Sequence, residues 1–326
     1  MIFANLPLTK VITYQFELII SYSLRRFLIM LNTRKDNLRY HVQDYRKKRV
    51  IIDTDAACEA DDPFAIAHAL MSKMLEVKGI CAEHFVAEGS MEQSFRMICR
   101  VVDAMEAGVP VLHGCTGKLS GQKEVSEAAQ FIIDEAMKED ELPLYILCIG
   151  AVTNVAQALR AKSQIADRVT IVCIGGNPIG CTDPGWEFNF GNDVEAANTV
   201  LHSGAKVWLI PNNVYGTMHI GFAEIQKRIY PYGEIGKLLY ENLVAFYSSE
   251  NAAWSAGESW SLGDSPAVGV VLEPNCGSFT ECPAPHVNED TSYSYPEGTN
   301  SIRVYTSINS RFIIEDFISK LQILFG

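Results

Sequence analysis

Short apolar runs of strand length recur along the chain, at residues 50–52, 77–82, 109–112, 144–149, 169–174 and 207–210. Near-continuous apolar runs of this length suit strands buried on both faces of a parallel sheet. Between them, apolar residues fall three and four apart. Phe64, Ile66, Ala67 and Leu70 mark a helix behind Pro63, and Phe95, Ile98, Val101, Val102 and Met105 mark one over residues 91–107. Further helices are predicted over 121–139, from Thr153 or Asn154 onward, over 222–254 and over 311–324. Residues 301–306 alternate like a strand, and the proline-rich stretch 273–295 reads as loop. Strands alternating with helices imply βαβ units. The pattern predicts one α/β domain over residues 49–326, a mainly parallel open sheet with helices on both faces.

Residues 1–48 break this pattern and read as an amino-terminal extension, helical or poorly ordered. Residues 16–31 are apolar but interrupted by Arg25 and Arg26, too short a run to span a bilayer. No small-residue cleavage site follows, and residues 34–49 are rich in Lys and Arg. The segment reads as an amphipathic addition, with a membrane-surface anchor or a true start at Met30 as alternatives.

Apolar residues make up 48% of the 326, enough for a sizeable core, and the net charge is −12. An acidic chain lacks the basic patch that nucleic acid requires. Nine cysteines occur singly, with no Cys-x-x-Cys pair. They imply reduced core residues of a cytoplasmic protein and no zinc site.

The chemistry gathers where the strand at residues 50–52 gives way to a helix. Asp53, Asp55, Glu59, Asp61 and Asp62 fall within ten residues, just before Pro63. That rim is where open α/β sheets bind ligands. Five neighbouring anions need a counter-charge, and carboxylate oxygens favour hard divalent cations such as calcium or magnesium. A solvated, helix-capping turn is the plainer alternative. A magnesium phosphohydrolase beginning at Asp-x-Asp is another, although no lysine is placed for phosphate.

Other strand ends add polar groups to the same rim. Glu83 and His84 follow the second strand, Gly150 to Asn154 the fourth, and Gly175-Gly176-Asn177 the fifth. Trp186-Glu187-Phe188-Asn189 precedes Asp193-Val194-Glu195-Ala196-Ala197, where Asp193 is placed to cap a helix. Much later, Trp260-Ser261-Leu262-Gly263-Asp264-Ser265-Pro266 opens an apolar stretch.

Taken together, these motifs resemble the calcium-dependent, inosine–uridine-preferring nucleoside hydrolases. That family's usual opening is Asp-Thr-Asp-Pro-Gly-x-Asp-Asp; here Pro-Gly is absent and the spacer to Asp61 is two residues longer. The Gly150 segment resembles the family's Gly-Pro-Leu-Thr-Asn, and Asn309-Ser310-Arg311-Phe312 its closing Asp-Ser-Arg-Phe. The resemblance covers about residues 48–326. It implies hydrolysis of the N-glycosidic bond of a ribonucleoside by a calcium-bound water, in purine or pyrimidine salvage. It assigns calcium to Asp55, Asp62, Asp264 and the Ile149 carbonyl, with Asp55 also the general base and Asp53 a buttress. Asp61 and Asn189 would bind the 2′ and 3′ hydroxyls, and Glu187 with Asn177 the 5′ hydroxyl. Glu187 and Asn189 supply the acceptors and amide that ribose hydroxyls need, and in extended chain they would share a face. Homodimers or homotetramers are usual in that family.

Many members carry a histidine before the distant Asp to protonate the departing base. Gly263 stands there in this chain. Trp260, Trp254, Tyr215 and His84 are then the candidates to stack on or protonate the base; His84 also reads as an ordinary rim histidine, and tyrosines at helical spacing as core. Two further readings stay open: a nucleoside-binding protein with little catalysis, and a hydrolase of a non-standard riboside.

Overall fold

The alternation of strands and helices is realised in a computed structural model that describes residues 30–182 and 184–326. In chain order the strands are β1 (Lys48–Thr54), β2 (Leu75–Ala82), β3 (Val111–Leu112), β4 (Leu144–Cys148), β5 (Val169–Ile174) and β6 (Lys206–Ile210). They continue as β7 (His219–Gly221), β8 (Ser259–Ser261), β9 (Gly277–Pro283), β10 (His286–Val287), β11 (Tyr293–Ser294) and β12 (Ser301–Ile308). The helices are α1 (Asp62–Met71), α2 (Ser90–Ala104), α3 (Glu127–Met137), α4 (Thr153–Ala161), α5 (Phe188–Asn192) and α6 (Val194–Leu201). They end with α7 (Asn212–Tyr215), α8 (Phe222–Arg228), α9 (Gly233–Tyr247), α10 (Ser265–Leu272) and α11 (Ser310–Phe325).

Eight strands form one sheet in the order β3-β2-β1-β4-β5-β6-β12-β9. Every pairing is parallel except that of β12 with the edge strand β9. Successive residues of a strand face opposite sides. Val50 and Ile52 accordingly join a core with Phe64, Ile98, Leu239, Val268 and Phe317. Ile51 joins the other core, with Ile132, Val155 and Val200. Helices thus cover both faces. The chain runs outward from β1 through β2 and β3, then returns to place β4 on β1's other side. This reversal opens a crevice at the carboxyl ends of β1 and β4.

Several boundaries differ from expectation. Residues 273–295 are not simply loop: β9 pairs with β12 and β10 pairs with β11. β9 is a solvent-facing edge whose polar residues hide it from a hydrophobicity reading. The single helix expected over 222–254 is two, broken around Pro231 and restarted at Gly233, which has φ +68°. That left-handed value suits glycine. The helix expected from residue 121 begins at Glu127, where Ser126 accepts the Ala129 N–H.

Of the extension, residues 1–29 lie outside the described residues, and with them nearly all of the apolar stretch 16–31. Residues 30–35 are helical. Leu31 and Leu38 are buried in the first core, and Arg34 pairs with Glu106 at 2.7 Å. None of the nine cysteines is in a disulfide, and no helix among the described residues is long and apolar enough to cross a membrane.

Candidate active site

Two helices meet end to end over the crevice, each preceded by an aspartate and carrying proline in its first turn. α1 begins at Asp62 behind Asp61, and α10 begins at Ser265 behind Asp264. The two pack against each other. Their amino ends aim unsatisfied N–H groups and positive dipole ends at one point. Ligand oxygens of Asp61, Asp62 and Asp264 all lie within 4.8 Å of one another. The Asp264 N–H donates to Asp61 Oδ2 at 3.2 Å, and the Thr54 hydroxyl donates to Asp62 Oδ1. Asp264 therefore stands at a helix start without a side-chain cap hydrogen bond.

A small cavity of about 70 Å³ opens on this group. Asp55, Asp61, Asp62, Asp264, Ile149 and Asn189 all line it, so these six predicted residues are brought together from five separate segments. Cys58, Glu59, Phe188, Tyr215 and Gly263 complete much of the wall. No lysine, arginine or histidine is among the described residues lining it. Asp55 is only 3% exposed, and its Oδ2 has no hydrogen-bond partner. Burial, then the neighbouring acids, push Asp55, Asp61 and Asp264 well above the ordinary carboxylate range. Burial likewise raises Asp62 to about 6 and Glu59 to about 7. Four buried carboxylates without a cation are costly. An orphaned buried oxygen and a set of hard donors fit a divalent ion.

Behind the cavity lies a second acidic pair. Asp53 Oδ1 accepts the Asn154 side-chain amide, and Glu83 Oε1 accepts the Asn154 N–H, both at 2.8 Å. Burial raises Asp53 to about 7 and Glu83 well above its usual value, and Asp53 Oδ2 and Glu83 Oε2 are buried without a hydrogen-bond partner. The sequence places Glu83 on the rim, but its pairing with Asn154, 71 residues away, is set by the fold.

Glu187 is not in extended chain beside Asn189. It caps α5, accepting the N–H groups of Asn189 and Phe190. The Tyr215 hydroxyl donates to its Oε1 at 3.0 Å. Burial raises both Glu187 and Tyr215. The Asn189 amide donates to the Ile174 carbonyl at 2.9 Å, which turns its oxygen free. Asn177 does not line the cavity: its amide donates to the carbonyls of Gly185 and Thr291, and its oxygen accepts from Asn212.

His84 and Trp260 are also placed elsewhere. His84 Nε2 meets the Thr153 hydroxyl at 2.9 Å, and that hydroxyl donates to Asp193, the cap of α6. Trp260 is 2% exposed on β8 and packs against Trp254 and Phe246. Of the four candidates for contact with a base, only Tyr215 reaches the cavity. Its ring lies against Gly263, where an added Cβ would come within 3.2 Å of it.

A larger cavity, about 590 Å³, lies at the opposite end of the sheet between residues 31–42 and the starts of β1 and β2. Its lysines are engaged: Lys73 donates to the Leu38 and Tyr40 carbonyls, and Lys78 pairs with Glu76. Convergent, unpaired acids mark the smaller cavity as the chemical one.

The family profile described as inosine-uridine preferring nucleoside hydrolase matches residues 50–311. The inosine-uridine preferring nucleoside hydrolase of Leishmania major is 28% identical over 261 residues, covering 70% of this chain and 79% of that protein. Uridine nucleosidase 1 of Arabidopsis thaliana is 28% identical over 196 residues, 52% of this chain, and the match spans only 57% of that relative. Among solved structures, the purine-preferring ribonucleoside hydrolase from Gardnerella vaginalis superposes with a TM-score of 0.71 at 24% identity, over 85% of this chain and 99% of that one. That likeness bears out the single α/β unit with a mostly parallel sheet. By its profile, this chain belongs to the inosine-uridine preferring nucleoside hydrolase family, a family of N-glycosyl hydrolases.

Proposed function

We propose that this chain hydrolyses the N-glycosidic bond of ribonucleosides to ribose and free base, with a calcium ion held by Asp55, Asp62, Asp264 and the Ile149 carbonyl. The observation that carries the reading is the closure of Asp61, Asp62 and Asp264 around one point beside the unpartnered oxygen of Asp55. When bound, a divalent cation lowers the pKa of water and draws hydroxyl groups together.

Breaking the bond builds positive charge on the sugar, which surrounding carboxylates stabilise. Asp55 takes the proton of the attacking water; its free Oδ2 is the acceptor available for it. Asp61 already accepts the Asp264 N–H on Oδ2, which leaves Oδ1 for a ribose hydroxyl. Asn189, with its amide fixed on the Ile174 carbonyl, offers its oxygen to the neighbouring hydroxyl. Glu187 receives the 5′ hydroxyl, and Asn177 holds the loop behind it through Thr291. Asp53, held by the Asn154 side-chain amide, buttresses the strand end.

Ribose release from a panel of purine and pyrimidine nucleosides, with and without calcium, tests this. Release that depends on calcium and is lost in Asp55→Asn is expected. Binding of nucleosides without release, and no turnover of p-nitrophenyl riboside, whose leaving group needs no acid, would instead make the chain a binding protein. Unpaired cysteines support a reducing, cytoplasmic setting.

A further inference from the structure

Two features of the cavity stand outside the chemistry above. The first is the missing acid. Neutral bases leave poorly unless they are protonated. The position next to Asp264 is Gly263, and the Tyr215 ring fills the space against it. The Tyr215 proton is donated to Glu187 and so points away from a departing base. No histidine, lysine or arginine is among the described residues lining the cavity.

The second is Glu59. The Ala56–Ala60 segment between Asp55 and Asp61 carries Cys58 and Glu59 into the cavity wall. The Glu59 carboxylate is half-buried and has no hydrogen bond or ion pair among the described residues. It adds a fifth carboxylate to the four aspartates, beyond the number the proposed ion and the ribose diol require. Phe188 and Tyr215 add aromatic side chains to the same wall.

We propose that Glu59 makes this site select ribosides whose base carries a fixed positive charge, such as N-ribosylpyridinium compounds. The inference rests on the hydrolase reading. For such a substrate, a water oxygen forms the new bond to C1′ as the C1′–N bond breaks. The bonding pair goes to the ring nitrogen and cancels its charge, so the base departs neutral without gaining a proton. The water's proton passes to Asp55 and then to solvent. The missing acid and the surplus anion then serve one substrate class.

The test compares kcat/KM for nicotinamide riboside with that for inosine and uridine, in the calcium-loaded protein, with p-nitrophenyl riboside as an uncharged reference. The cationic riboside is expected to be the best natural-type substrate, and Glu59→Gln to lower its preference over inosine by about tenfold, the scale of one charge interaction in a partly buried site. Glu59→Asp should retain the preference, which separates loss of charge from loss of fold. Equal losses on all substrates in Glu59→Gln, or no cationic preference in the parent protein, would overturn the proposal while leaving the hydrolase intact. A loss falling on inosine alone would make Glu59 a proton donor and also overturn it. No turnover of p-nitrophenyl riboside by the parent protein would remove the hydrolase reading, and this inference with it.

Discussion

A Cβ built on Gly150 would lie 2.6 Å from Oδ1 of Asp55 and 2.9 Å from its backbone nitrogen. Glycine at the end of β4 is thus what lets the proposed base sit against the neighbouring strand. Gly150→Ala should displace that carboxylate and lower kcat/KM by about a hundredfold, the scale of an ångström-sized misplacement. Steady-state kinetics on a variant with an unchanged circular-dichroism spectrum checks this; parent-like activity would show that Asp55 is free to move.

Of the proposed ligands, Asp264 comes from farthest along the chain. Asp264→Asn removes a charge from the ion's shell but keeps the N–H that reaches Asp61. Calcium affinity by calorimetry should fall by about a hundredfold, and the rise in melting temperature with added calcium should shrink to match.

The ion-free protein should lose stability as pH rises. Unfolded carboxylates titrate near 4, whereas burial holds Asp62 at about 6 and Asp53 and Glu59 at about 7, with Asp55, Asp61, Asp264 and Glu83 higher still. Across that window the unfolded chain binds fewer protons than the folded one, so the slope of stability with pH is negative. Calorimetry in chelator should show a melting temperature that falls between about pH 5 and 8, and calcium should restore more at the upper end. A rising trend would place these acids in a solvated or cation-paired setting.

Trp260 gives a contrasting case. It is buried among Phe246, Tyr247 and Trp254, away from the cavity. Trp260→Ala should cost about 3–5 kcal/mol through the void it leaves. Denaturant melts should record that loss, while KM of the folded fraction stays at the parent value; a changed KM would bring the residue back to the substrate.

Much of this was readable in the sequence, for identifiable reasons. The strand at residues 50–52 is fully buried and uniformly apolar, and that at 169–174 is so except at the half-buried Thr170. Asp55 directly follows β1, and Asp62 and Asp264 each stand just before a helix-opening proline, so their rim position is a local property. What was not readable depends on partners distant in sequence. β9 is a strand only because β12 lies beside it, and its own residues face solvent. Glu187 turned out to cap a short helix, because α5 is too brief to show helical periodicity. His84 and Asn177 carry the right chemistry at the right strand ends. Their direction is set by Thr153 and Thr291, which no spacing rule links to them.

The bond from the Asp264 N–H to Asp61 joins positions 203 residues apart. During synthesis, the acidic turn after β1 therefore emerges long before the segment that completes its pocket. Any fragment ending ahead of β8 would display Asp55, Asp61 and Asp62 as an unfinished cluster, open to water and without its fourth wall. On the proposed chemistry, the pocket is complete only once the segment carrying Asp264 has been added.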